Sequence, residues 1–208
     1  MTWSIPQITT GAERYMLEHV LDRNRSELIN AVRGLSEEEA RRRLVASLTT
    51  PIALVKHAAA AERIWFQRVL AGVPESECGG GTTGGDPSFV VGDEETLADV
   101  IAEFECASAR SRVMAARYDL DDIKTHPHLG DVSLRFIYLL LSEDFARHAG
   151  HADILREQIV QSRAVDRTGR GRGEKTPPPG RVPNEPPATP PGGPVLRGVE
   201  CRGRGAAQ

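Results

Sequence analysis

Residues Ser133–Glu157 read SLRFIYLLLSEDFARHAGHADILRE. Taken in steps of three and four, one face carries Leu134, Ile137, Leu141, Asp144, His148, His151 and Leu155. Apolar residues at that spacing mark a helix with an inward stripe. Asp144, His148 and His151 interrupt the stripe at its centre. A carboxylate and two imidazoles turned inward need partners, because burying them unpaired is costly. A metal ion answers that need. Residues four apart on one helix can chelate one ion, as the histidines of H-E-x-x-H do. Three protein ligands with open coordination positions would make such a site catalytic rather than structural.

Three further long helices are expected before this one. The first spans about residues 10–33, with Leu17, Leu21, Leu28 and Val32 in register and Thr10 with Glu13 as a capping box. Gly34 ends it, and Ser36-Glu37-Glu38-Glu39 opens a short helix with acids at its positive end. The second long helix runs from Pro51, a good first-turn residue, to about Ala71, with Gly72 and Pro74 as the stop. The third spans about residues 94–118, with Leu97, Ile101, Phe104, Ala107 and Ala115 on its apolar side. The fourth, from Ser133, is expected to end near Val160. The glycine-rich run from Cys78 to Gly85 lacks the Lys-Ser/Thr of a P-loop and any preceding strand, so it reads as a flexible connection. Phe89-Val90-Val91 is the only short strand candidate. The expected fold is all-α, a four-helix bundle with a long second-to-third connection.

Charge divides the chain. Of 208 residues, those from Ser162 onward hold nine Lys/Arg against four Asp/Glu, and the remainder seventeen against twenty-five. The body is therefore acidic, and a net charge of -3 argues against nucleic-acid binding. The basic end is rich in Pro and Gly, as in Pro177-Pro178-Pro179, and has too little apolar surface to order itself. The expected division is a folded unit at 8–161 and a disordered tail at 162–208. No run has membrane length, and Met1-Thr2-Trp3-Ser4 is not followed by the apolar stretch of a signal peptide. Cys78, Cys106 and Cys201 are an odd, unpatterned set. They suggest free thiols in a cytoplasmic, reducing setting.

The second helix offers another inward imidazole. Its face Val55, Ala58, Glu62, Trp65 and Val69 is apolar except for Glu62, and His57 lies beside it among Ala58 to Ala61. Asp144 and His151 are seven residues apart, roughly 10 Å along a helix, too far to share one ion easily. Two candidate ligand triads stay open: His57/Asp144/His148 and His57/His148/His151. An imidazole-plus-carboxylate set fits zinc, nickel or iron. Glu62 is a buried partner for a ligand histidine, for His151, or a pore-lining acid. Trp65 and Phe66 are read as core, Cys106 as a small buried hydrophobe, and His126 and His128 as solvent-exposed turn residues. Arg41-Arg42-Arg43 is read as a solvated helix face paired with the preceding glutamates.

Leu54-Val55-Lys56-His57, Glu62-Arg63-Ile64-Trp65-Phe66 and the run from Arg147 to Glu157 (RHAGHADILRE) resemble the DinB-like superfamily, in its actinobacterial branch of domain of unknown function 664. The resemblance covers about residues 8–160. It implies an up-down four-helix bundle holding a divalent metal through one histidine of the second helix and a pair on the fourth. Relatives use low-molecular-weight thiols such as mycothiol or bacillithiol, as thiol transferases or as a maleylpyruvate isomerase. In the isomerase-like pattern the fourth-helix pair is Glu-x-x-x-His; here Asp144 and His148 stand at that spacing. Leu140-Leu141 replaces a His-Met common in the branch, which would alter the cavity more than the ligands. The implied function is a metal-dependent thiol S-transferase or isomerase, with a small-molecule thiol and an electrophile as partners and a homodimer allowed. The alternative is a non-catalytic bundle that binds metal or sequesters a ligand.

Overall fold

The computed structural model describes residues 8–170, with side chains described as far as Arg163. It is predominantly helical: α1 (Glu13–Val32), α2 (Glu37–Ala40), α3 (Pro51–Glu62), α4 (Leu97–Ala115) and α5 (Leu134–Arg170). α3 continues without a break into a π-helical segment, Arg63–Leu70. Two strands, β1 (Ile123–His126) and β2 (Gly130–Ser133), form an antiparallel hairpin that leads directly into α5. α1 packs along α5, and α3 packs on both α4 and α5. Their shared core includes Leu21 and Leu28 of α1, Leu54 of α3, Phe104 of α4, and Ile137 and Phe145 of α5.

Local chemistry sets most helix ends. Thr50 accepts from the Ala53 N–H at 3.2 Å, ahead of Pro51. Ser36 with Glu39, and Thr96 with Asp99, form capping boxes at the starts of α2 and α4. Both oxygens of Glu37 accept from the Leu97 N–H at 2.9 Å, so α2 also satisfies a free donor at the start of α4. The box expected at Thr10 and Glu13 does not form: Ala12 is the cap residue of α1 and gives no side-chain bond.

Several expectations change. The second long helix was expected to be α-helical throughout, but its second half is π-helical, with Phe66 and Leu70 buried one turn apart. The hairpin was not expected; its two four-residue strands follow no long alternating pattern, and cross-chain pairing decides them. Phe89 closes a 3₁₀ turn, Asp86–Phe89, rather than a strand. α5 passes its expected end and reaches Arg170, and Arg163 pairs with both oxygens of Glu39. The rest of the proposed tail, residues 171–208, lies outside the described residues. Arg41, Arg42 and Arg43 are not a helix face paired with the glutamates. Arg41 donates to the Gly92 and Glu95 carbonyls, Arg42 to Ser162, and Arg43 to carbonyls of its own loop. Cys78 is buried with a free thiol. Cys106, expected as a small buried residue, is only half-buried on α4. Among the described residues no helix is long and apolar enough to cross a membrane.

Candidate functional site

α3 and α5 bring three side chains together. His57 comes from the second turn of α3, Asp144 and His148 from adjacent turns of α5. One ligand atom from each lies within 4.8 Å of the others. Asp144 bridges the two imidazoles: its Oδ2 is 3.4 Å from His57 Nε2 and its Oδ1 is 3.2 Å from His148 Nε2. The imidazole rings stand edge to face, with centroids 4.8 Å apart. His57 and His148 are 17% and 12% exposed and Asp144 25%, so the site is sheltered yet open on one side.

The third contributor is the long connection. Gly85, at φ +68°, takes a left-handed conformation that a side chain would strain, and it starts the 3₁₀ turn Asp86–Phe89. That turn delivers Ser88 and Phe89 to His57. Ser88 Oγ donates to the Gly85 carbonyl at 2.5 Å and lies 2.7 Å from His57 Nδ1. A hydroxyl has one proton. With that proton on Gly85, Ser88 can only accept from His57, so Nδ1 carries a hydrogen. Phe89 stacks on the other side of the ring, centroids 4.3 Å apart and planes within 9°. Ring orientation and tautomer of His57 are thus set from outside the triad.

That tautomer tests the site for a cation. A neutral His57 with hydrogen on Nδ1 turns an Nε2 lone pair toward the Asp144 carboxylate. Two electron-rich atoms face each other at 3.4 Å unless a proton or a metal lies between them. His148 adds a second imbalance: its Nδ1 is buried without a hydrogen-bond partner. Burial pushes the Asp144 carboxyl up, but when the two rings carry the proton in place of a metal, hydrogen bonds and positive charge from His148 and His57 outweigh it and hold the group well below the usual carboxylate range. Two imidazoles and a carboxylate are a donor set suited to a divalent transition metal, and the residues fit one.

The triad opens into a cavity of about 610 Å³, which includes His57, Ala61, Trp65, Leu140, Leu141 and Asp144. The expected room near the alanines is therefore present at Ala61. The glycine-rich run supplies another wall through Thr82, Thr83 and Gly84.

Not every candidate joins the triad. His151 is exposed on α5 and stands outside the ligand group, its ring centroid 5.7 Å from that of His148. Ala152, at 1% exposure, takes the buried position instead, because a 3.6-residue helix drifts relative to a strict seven-residue step. Glu62 meets no histidine. Its fully buried carboxylate is held at 2.7 and 2.9 Å by Arg25 of α1, itself 5% exposed. Trp65 was expected in the core and is instead half-buried on the cavity wall, stacked on His126. His126 and His128 line the same cavity, although only His128 is as exposed as expected. Ser88 and Phe89 escaped the sequence reading, since no motif links position 88 to position 57.

The helical architecture and the inward His/Asp/His set are consistent with the DinB-like family, and comparison shows that membership. A narrower match follows from comparison: the family model for mycothiol-S-transferase covers residues 16–161, and the chain belongs to that family. No curated protein matches the chain.

Proposed function

We propose that the chain is an up-down four-helix bundle acting as a divalent-metal-dependent S-transferase for a low-molecular-weight thiol of the mycothiol type. The convergence of His57, Asp144 and His148 on one sheltered point carries this reading, since the triad is electrostatically incomplete without a cation. His57 through Nε2, Asp144 through a carboxylate oxygen and His148 through Nε2 would hold zinc, nickel or iron. A bound divalent ion supplies positive charge that favours a thiolate over a thiol near neutral pH. The protein's own part is positional. Ser88 keeps the His57 proton on Nδ1 and so keeps Nε2 available as a ligand atom. Asp144 would offset ionic charge with its carboxylate. The adjoining space is within the roughly 300–1,000 Å³ common for small-molecule sites.

Metal analysis of the purified chain, followed by mycothiol-dependent turnover of an electrophile, tests the reading. His57→Ala and His148→Ala are each expected to abolish stoichiometric metal and turnover; His151→Ala should retain both. Stoichiometric metal retained in both the His57 and His148 variants refutes the site. Metal without turnover, for mycothiol, bacillithiol and glutathione alike, refutes the transferase and leaves a ligand-sequestering protein.

A further inference from the structure

The hairpin places two further imidazoles at the cavity, and the hydrogen bonds of one, His126, decide what it can offer. His126 ends β1. Its Nδ1 accepts from two backbone donors of the turn, the N–H groups of His128 and Leu129, each at 3.2 Å. A nitrogen accepting twice carries no hydrogen, so a neutral ring bears its proton on Nε2. The ring is held by Trp65, stacked at a centroid distance of 5.1 Å with planes 15° apart. Trp65 is clamped in turn by Phe136 of α5, edge to face at 6.1 Å. His126 therefore has a fixed tautomer and orientation, and it lines the cavity that contains His57 and Asp144. Nothing within the turn uses Nε2–H.

We propose that His126 is a substrate-positioning residue. Its Nε2–H donates a hydrogen bond to an acceptor oxygen, such as a carbonyl, on the electrophilic partner of the reaction. On this view the hairpin carries an added donor to the cavity wall. The N–H donor calls for an acceptor oxygen, so the fitting class is a small, carbonyl-bearing electrophile. The assignment of the occupant as an electrophile rests on the transferase reading; the donor itself does not.

Two substitutions separate the nitrogens. His126→Asn keeps an acceptor near Nδ1 for the turn but removes the distal donor. His126→Gln places an amide N–H near Nε2 and gives up the turn acceptor. Imidazole nitrogen NMR on the full chain is expected to show hydrogen on Nε2 and none on Nδ1 of His126. Binding of acetophenone and of ethylbenzene, its counterpart without an oxygen, is read from the Trp65 indole signal. The wild-type protein should prefer the ketone about five- to tenfold, the value of one hydrogen bond. His126→Asn should lose that preference and His126→Gln keep it. In turnover, His126→Asn should raise KM for a carbonyl electrophile with little change in kcat. Hydrogen on Nδ1, equal or absent binding of the two probes by the wild type, or an unchanged preference in His126→Asn overturns the proposal. A ketone preference that follows this pattern in a protein without thiol turnover would sink the transferase reading alone.

Discussion

Replacing Arg25 by Met should destabilise the fold severely, and the contacts of Glu62 say by how much. Glu62 is 0% exposed and both its oxygens are taken by Arg25, at 2.7 and 2.9 Å. Methionine retains most of the apolar stem beside Phe66, over which the guanidinium lies at 5.9 Å. Asp22, the other partner of Arg25, still has Arg112 at 2.7 Å. The loss is therefore concentrated on one buried carboxylate without a cation, which costs about 3–5 kcal/mol. For a domain of this size that is a fall in Tm of roughly 6–20 °C. Urea unfolding, followed by circular dichroism, reads the loss. Adding Glu62→Leu should recover most of the loss, because removing both charges avoids the unpaired one. A single variant within about 1 kcal/mol of wild type, the size of an ordinary surface pair, would refute the reasoning, as would a double variant no better than the single.

Other outcomes follow from the same geometry. Ser88→Ala frees the His57 tautomer and should weaken divalent-metal affinity by about 10–100-fold with little change in Tm, read by competition with a chelator. Gly80→Ala should destabilise by about 1–3 kcal/mol in urea unfolding, because a Cβ there would overlap the guanidinium of Arg63, which is buried and paired with Glu103 at 2.7 Å. Hydrogen bonds from Arg163 hold the Glu39 carboxyl down at about 2. Its stabilisation is present above the unfolded pKa and is lost as pH falls from about 4.5 through about 2. Because the pair is at the surface, Arg163→Ala or truncation after Gln161 should lower Tm only slightly near neutral pH, and less in acid.

How legible the molecule was depends on the range over which each feature is decided. The four long helices could be read from Leu134, Ile137, Leu141 and their counterparts because amphipathic spacing is a local property. Thr50-Pro51 marks the start of α3 for the same reason: a cap acts within three residues. His57, Asp144 and His148 could be nominated because polar groups on an inward face are conspicuous. The sequence left open whether Asp144 or His151 completes the set. The packed helices place Asp144 between the two imidazoles and His151 toward solvent, an arrangement that depends on how α3 and α5 meet. The Arg25–Glu62 pair, the Ser88 bond to His57 and the His126–Trp65 stack join positions 37, 31 and 61 residues apart. No pattern along the chain encodes such distances; they arise when burial forces each polar group to find a partner across the core.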